Sequence, residues 1–276
     1  AFGRRARNFA GADFLHAEIR TRLLERFELI TLEPAVVADL GAGPGLALGA
    51  LSLRFPGAHV IALDRTLPML QSIAAETPAG RLCADAHRLP LGDATVDVVF
   101  SNLMLHWCRD IGTVLGEVRR VLRHPGLFSF ASFGPATLGE LRSAWAAADR
   151  HEHVLQFPAM QGLGNALIRA GFSEPVLDCE QLNVTYASAD RLAADLRAVG
   201  ATNLAGGRNR GLTTPALWDH MRRAYEEQCG SDGRLPATFE VIYAQAWAGA
   251  PRSRARSSPG EFGEISIPVD ALRGPR

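Results

Sequence analysis

The chain has 276 residues, and 29 acidic residues balance 29 basic ones. All of the basic residues are arginine, because the sequence contains no lysine. This composition excludes a lysine Schiff base, a phosphate-loop lysine and a lysine general base, and the zero net charge is unlike the basic excess of general nucleic-acid or membrane-surface binders.

The length and the 47% hydrophobic content suit one large domain, or a domain with an addition. No apolar run approaches the roughly 18 residues of a membrane helix, and the start of the chain lacks the apolar segment of a secretory signal. The cysteines form no CxxC pair, which predicts free and mostly buried thiols, no zinc site and a reducing, cytoplasmic compartment. They are Cys83, Cys108, Cys179 and Cys229.

The first predicted element is a helix, because apolar residues recur at helical spacing from Phe14 to Ile30 and Pro34 follows. Short strands and helices then alternate, and Asp110 is placed to cap the helix before the fifth strand. This alternation predicts an α/β fold with a doubly wound, mostly parallel sheet. The strands are predicted at 36–40, 59–63, 81–84, 96–100 and 127–133, and the helices at 46–53, 68–75 and 111–122.

The pattern changes after Pro135. Thr137 and Glu140 predict a capping box for a helix that ends near Ala148. Further helices are predicted at 161–170, 189–199 and 215–228, and strands at 175–185 and 238–247 bring the sheet to seven strands. The predicted organisation is a helical cap at 1–34, a main domain at 35–249 with inserted and appended helices, and a flexible tail at 250–276.

Glycine, acidic and small polar residues stand where the first four strands end. Ligands of open parallel sheets bind at the carboxyl ends of the strands, so these residues are expected to share one site. They are Asp39, Gly41, Gly43 and Gly45 after the first strand, Asp64 after the second, Asp85 and Ala86 after the third, and Ser101 and Asn102 after the fourth.

The glycine-rich turn after the first strand allows a ligand to approach the backbone closely, although such a turn alone is equally typical of an ordinary strand–helix connection. It departs from the dinucleotide pattern G-x-G-x-x-G, because the third glycine, Gly45, falls one residue early. Asp39 precedes the turn and suits a cationic amino group rather than a phosphate, which it would repel. Asp64 can accept hydrogen bonds from both hydroxyls of a ribose.

The segments 39–45, 64, 85–90 and 97–102, in this order and spacing, resemble class I S-adenosylmethionine-dependent methyltransferases. The resemblance implies a Rossmann-like fold and S-adenosylmethionine as cofactor, with S-adenosylhomocysteine as its product. The residues that it assigns to the cofactor are Gly41, Gly43 and either Ser101 or Asn102 for the methionine part, Asp39 for the ammonium group, Asp64 for the ribose, Asp85 and Ala86 for the adenine, and Phe9, Ala42 and Arg65 beside them.

A closer resemblance is carried by the segments 101–108, 133–142, 169–172, 207–212 and 232–243. They are similar to the malonyl-acyl-carrier-protein O-methyltransferases of biotin synthesis, and the similarity extends from about residue 1 to residue 247. It implies methylation of the free carboxyl group of a malonyl thioester. The implied partner is malonyl acyl carrier protein, or malonyl-coenzyme A in its place, and a monomer is expected that binds neither nucleic acid nor membrane.

This chemistry needs no general base, because a carboxylic acid with a pKa of roughly 4 is already ionised at neutral pH. Positioning of the carboxylate is therefore the main task, and an arginine fork is the expected means. The candidates are Arg142, Arg208 and Arg210, for each of which an ordinary surface arginine is the alternative interpretation. His106 and Trp107 are expected to wall the substrate channel, although a histidine in such a place is more often a packing residue.

The sequence departs from the family pattern at two positions. Phe9 stands where the family commonly has a tyrosine over the cofactor, and 123–126 keeps only one glycine of an Arg-Pro-Gly-Gly turn. The second change is expected to be structural. The first predicts an enzyme that binds the cofactor but turns over slowly, and whose rate Phe9→Tyr would raise.

Two other functions remain open at this point. The Leu-His-Trp segment and the segment 133–142 also resemble the mitochondrial complex I assembly factor that hydroxylates an arginine, which would make the chain a protein-modifying oxygenase. A third interpretation is a non-catalytic domain that binds the cofactor as a structural element. The Ser-Asn pair after the fourth strand and the run at 233–238 favour the methyltransferase.

Overall fold

A computed structural model describes residues 12–28, 30–203, 205–209 and 211–249. Its centre is a seven-stranded sheet with the order β3-β2-β1-β4-β5-β7-β6. The pairs from β3 to β5 are parallel, and β7 runs antiparallel to both of its neighbours. The strands are β1 Val36–Leu40, β2 His59–Asp64, β3 Ala79–Cys83, β4 Val96–Asn102, β5 Leu122–Phe133, β6 Phe172–Tyr186 and β7 Leu235–Ala248.

Helices cover both faces of this sheet, so the predicted doubly wound α/β fold is confirmed. None of the helices in the described part of the chain is long and apolar enough to span a bilayer. The helices are α1 Phe14–Glu25, α2 Leu48–Arg54, α3 Leu67–Gln71, α4 Ile111–Val121, α5 Gly139–Ala148, α6 Met160–Arg169, α7 Ala189–Ala198 and α8 Pro215–Glu226, and a 3₁₀ turn spans Leu105–Trp107.

The core lies on both faces of the central strands. Successive side chains of a strand point to opposite faces, which sends Val37, Val98 and Phe100 into the core on one side and Ala38 and Val99 into the core on the other. All five are at most 1% exposed. Burial on both faces explains why β1 and β4 read as continuous apolar runs rather than as alternating ones.

Helix α1 packs against β4 and β5, and the side chain of Asn102 at the end of β4 donates to the His16 carbonyl of the helix. Leu15, Ile19 and Leu23 are its buried residues, and each burial contributes roughly 1.5–3 kcal/mol. Arg22 pairs with Glu180 of β6 at 2.6 Å. This ion pair is partly exposed and therefore worth at most about 1 kcal/mol, so apolar burial is the main force that holds the helix in place.

Two local predictions about this fold are wrong. Thr137 and Glu140 form no capping box, because the Thr137 hydroxyl donates to the Glu240 carbonyl and the Glu140 carboxylate accepts from Thr238 of β7. The thiols are not mostly buried: Cys108 is half-buried, and the other three are exposed. Two of those three, Cys83 and Cys179, lie on the edge strands β3 and β6, where the sheet leaves side chains open to solvent.

Candidate active site

The glycine-rich turn after β1 has the backbone geometry that its composition predicts. Gly41, Gly43 and Gly45 all have positive φ values, of 80°, 55° and 79°. The Gly41 N–H donates to the carbonyl of Leu63 at 2.8 Å, which fixes the turn against the end of β2. A Cβ atom at Gly41 would overlap the Met104 side chain, so only glycine fits there.

Asp64 closes the other side of this turn. Its Oδ2 accepts from the Gly43 N–H at 2.9 Å, and its Oδ1 accepts from the Thr66 N–H at 2.7 Å. Each carboxylate oxygen keeps lone-pair capacity beyond its one backbone bond, and Asp64 lines the cavity between the strand ends. Asp64 is therefore held in place by the backbone and still able to accept hydroxyl groups.

The cavity next to Asp64, which we call the first cavity, has a volume of about 340 Å³. This volume lies within the range of cofactor and ligand sites. Predicted site residues that line it are Gly41, Gly43, Asp64, Arg65, Asp85, Ala86, Asn102 and Trp107.

Asp85, which follows β3, lines the first cavity and has two basic side chains beside its carboxylate. Asp85 Oδ1 lies 2.7 Å from the His87 Nδ1 and also accepts from the His87 backbone N–H. These two hydrogen bonds lower the pKa of Asp85 below its usual range, although its partial exposure limits their effect on stability. Arg65 lies 3.6 Å from the same carboxylate, at the exposed rim.

Three of the residues assigned to the cofactor do not lie on the cavity wall. Ser101 is completely buried and donates its hydroxyl to the Leu40 carbonyl at 2.8 Å, so the prediction that it faces the ligand is wrong. Its neighbour Asn102 points the opposite way, as successive strand residues must, and lines the cavity instead. The Ala42 methyl group packs in the core and its N–H donates to the Leu63 carbonyl at 2.9 Å, so its predicted cofactor contact is not supported.

Asp39, the third of these residues, lies behind the glycine turn and is 2% exposed. Its Oδ2 has no hydrogen-bond partner among the described residues. Burial, and secondarily the neighbouring Asp64 carboxylate, raise the pKa of Asp39 to about 7. A buried carboxylate without a partner favours a positive charge on the ligand side of the turn, which is the role that the sequence suggested.

A second cavity, of about 110 Å³, adjoins the first one. His16 of α1 and Trp107 line both cavities and stand at their junction. Most of the other lining groups are apolar, and they come from α1, the segment after β5, the residues around 155 and the end of α7. Its small volume suits an acyl group of a few atoms rather than a large ligand.

His106 lines this second cavity together with aromatic rings. Its ring centroid lies 5.0 Å from those of Trp107 and Phe133 and 5.5 Å from that of Phe157. Burial, with a smaller effect of His16, lowers the pKa of His106 to about 3, so its imidazole is neutral at physiological pH. Its Nδ1 is enclosed and has no hydrogen-bond partner among the described residues.

The structure does not place the arginine candidates on the second cavity. Arg142 donates to the carbonyls of Pro135, Thr137 and Leu155, and Arg208 donates to the carbonyl of Ala205. Neither lines either cavity. The prediction that one of these two grips the substrate carboxylate is therefore not supported, because their donors already hold the backbone. Arg210 and Phe9 lie outside the described residues.

Two residues that line the first cavity, His16 and Met104, were not predicted from the sequence. His16 belongs to a helix whose pattern shows only which face is buried, and nothing in that pattern says that the neighbouring face borders a site. Met104 faces Gly41 after a Leu103 with a φ of 56°, a conformation that non-glycine residues rarely adopt and that often occurs at functional sites. Position in the motif after β4 is the only sequence signal for Met104.

Comparison with known proteins agrees with this geometry. A family model described as a methyltransferase domain matches residues 38–130. A malonyl-acyl-carrier-protein O-methyltransferase of Methylovorus sp. (strain MP688) is 42% identical over 94% of this chain and 90% of its own length. A protein with the same name from Laribacter hongkongensis is 42% identical over 94% and 91%. The solved structure of the YcgJ protein from Bacillus subtilis shares the fold, with a TM-score of 0.61 at 15% identity over 85% of this chain and 100% of that chain.

Proposed function

Because the chain belongs to the malonyl-acyl-carrier-protein O-methyltransferase family, it transfers a methyl group from S-adenosylmethionine to the free carboxylate of a malonyl thioester, and we propose which of its residues hold the two reactants. The observation that carries this proposal is the junction of the two cavities at His16 and Trp107. The larger cavity suits a nucleoside ligand, and the smaller one suits a malonyl group.

The first cavity fits S-adenosylmethionine in its polar groups. Asp64 would accept the ribose hydroxyls, and the Gly41–Gly43 turn would hold the methionine part with Asp39 behind it. The Oδ1 of Asn102 is buried without a partner among the described residues, which supports a contact with the amino acid part of the ligand. Asp85 and Ala86 would border the adenine.

When bound, S-adenosylmethionine supplies a methyl group on a positively charged sulfur, and the electron pair of the broken carbon–sulfur bond stays on sulfur in S-adenosylhomocysteine while a carboxylate oxygen forms the new bond to carbon. The protein's own task is to hold that carboxylate at the cavity junction and to exclude water. The apolar wall of the second cavity, which includes Phe133, Phe157 and Phe239, serves the second purpose.

The thioester substrate reaches the enzyme on acyl carrier protein, as the names of the relatives state for them. We expect the second cavity to receive the malonyl group and the tethering arm to leave past the segment around Asn203. Coenzyme A carries the same arm, so malonyl-coenzyme A is expected to serve as a simpler substrate.

The test is methyl transfer from labelled S-adenosylmethionine to malonyl, succinyl and acetyl carrier protein in parallel. We expect the malonyl protein to be methylated, the succinyl protein to react more slowly because the second cavity is small, and the acetyl protein to be inert. Binding of the cofactor without transfer to malonyl carrier protein would refute the proposal and favour the non-catalytic interpretation.

A further inference from the structure

The malonyl carboxylate needs a hydrogen-bond donor in the second cavity, beside the junction at Trp107, because an ionised group without one is costly to bury. No arginine lines the second cavity in the described part of the chain. Several polar residues of its wall are already engaged. Thr137 bonds to Glu240, Asn203 to Glu152 and Ala205, and His153 to Asp149.

His106 differs from these residues. The residue as a whole is only partly buried, and although its Nδ1 is enclosed it lines the second cavity. A neutral imidazole carries one N–H donor and one bare nitrogen acceptor. An enclosed nitrogen without a partner is less costly to bury as a bare acceptor than as an N–H, which assigns the proton to Nε2.

From this arrangement we propose that His106 is the residue that holds the malonyl carboxylate, with its Nε2–H as a neutral donor, in place of an arginine fork. This inference rests on the proposed function. A neutral donor suits the reaction because the cofactor already brings a positive charge to the site. A guanidinium paired with the same carboxylate would stabilise the anion and reduce its nucleophilicity.

The aromatic surroundings of His106 make the proposal testable without loss of packing. His106→Phe keeps a ring against Trp107, Phe133 and Phe157 and removes the N–H donor together with an Nδ1 acceptor that has no partner among the described residues. His106→Asn restores an N–H in a smaller side chain. His220→Gln is the matched control, because His220 is an exposed residue of α8 that lines neither cavity.

The first readout is equilibrium binding of malonyl-coenzyme A to each variant saturated with S-adenosylhomocysteine, with butyryl-coenzyme A as a ligand that lacks the carboxylate. We expect His106→Phe to weaken malonyl-coenzyme A binding by about 10- to 100-fold, as for loss of a hydrogen bond to a charged group, and to leave butyryl-coenzyme A and S-adenosylhomocysteine binding within about twofold. kcat/KM of His106→Phe for malonyl carrier protein should fall at least as far. His106→Asn should recover part of the lost affinity. The control His220→Gln should bind and react like the unchanged protein.

Three results would overturn the proposal. One is malonyl-coenzyme A binding by His106→Phe within about twofold of the unchanged protein. The second is an equal loss in His106→Asn, which would show that ring shape and not donation matters. The third is a loss confined to Arg210→Gln, which would restore the arginine fork. A protein that binds malonyl-coenzyme A through His106 but transfers no methyl group would refute the proposed function instead, so the two failures are distinguishable.

Discussion

The backbone N–H of Gly43 donates to Oδ2 of Asp64 over 2.9 Å, and this hydrogen bond joins the glycine turn after β1 to the end of β2. Asp64 holds the segment after β2 in the same way through Thr66. In the proposed assignment, one carboxylate would shape the turn that receives the methionine part of the cofactor and would also present acceptors to its ribose. The two halves of the proposed cofactor site would then be coupled through this single side chain.

This coupling predicts that Asp64→Asn strongly lowers the affinity for the cofactor. The amide has one acceptor oxygen instead of two, so either the Gly43 bond or the Thr66 bond is lost along with acceptor capacity for the ribose. We expect S-adenosylhomocysteine to bind about 10- to 100-fold more weakly, measured by titration calorimetry. Asp219→Asn, in an exposed pair with Arg222, is the control and should leave affinity unchanged. Equal affinity in the two variants would contradict the assignment of Asp64.

Substitution of Gly41 tests the close contact inside the turn. Gly41→Ala places a methyl group on Met104 and also requires a positive φ, and we expect it to lower both the free energy of unfolding, by about 1–3 kcal/mol, and cofactor affinity. Met104→Ala in the same chain should recover part of the stability. Gly49→Ala is the matched control, because a Cβ there meets open space within α2 and should leave stability equal or raise it by up to about 1 kcal/mol.

The sequence predicted β1 at its observed bounds and the cluster of residues at the strand ends, because both depend on local signals: a short apolar run, a glycine turn and a carboxylate at each strand end. It could not decide between Ser101 and Asn102, since β4 is buried on both faces and its apolar run does not show which face meets the ligand. His106 and Trp107 were predicted to wall a substrate channel and do line the second cavity, but the rest of its wall was not predicted. Its wall is assembled from α1, β5, α7 and the connections between them, and only long-range packing brings these together.

The contacts of Arg142 could not be predicted from the sequence either, and they lead to a prediction about stability. Its guanidinium joins three main-chain carbonyls around the second cavity, and its Nε is buried without a partner among the described residues. We expect Arg142→Gln to lower the free energy of unfolding by about 2–4 kcal/mol in chemical denaturation, because the carbonyls lose a charged donor. Arg191→Gln, which removes an exposed partner of Asp195, should change it by less than about 1 kcal/mol.

The two measurements on Arg142→Gln separate a structural role from a substrate contact. A structural role lowers stability and leaves malonyl-coenzyme A affinity affected only through the shape of the cavity. A stable Arg142→Gln variant that has lost malonyl-coenzyme A binding would show that the guanidinium leaves its carbonyls for the substrate, and would contradict a purely structural role for Arg142.

We expect Asp39 to make cofactor binding dependent on pH. Burial raises its pKa to about 7 in the protein without ligand, so the folded chain holds a proton that the unfolded chain releases near pH 4. The free energy of unfolding therefore falls as pH rises from about 4 to about 7, and the contribution of Asp39 is constant above that. In the proposed assignment the ligand's ammonium group would lie beyond the turn and favour the ionised carboxylate, so binding of S-adenosylhomocysteine below pH 7 should release this proton.

The expected result is an affinity for S-adenosylhomocysteine about tenfold lower at pH 6 than at pH 8, because only about a tenth of Asp39 is ionised one pH unit below its pKa. Calorimetry in two buffers with different ionisation enthalpies measures the released proton directly. Asp39→Asn removes the titrating group, so its affinity should be lower at pH 8 and should no longer depend on pH between 6 and 8. His16 and His106 do not titrate in this range, because burial lowers their pKa values to about 4 and about 3. A pH dependence that persists in Asp39→Asn would assign it to another group and refute the link between Asp39 and the ammonium group.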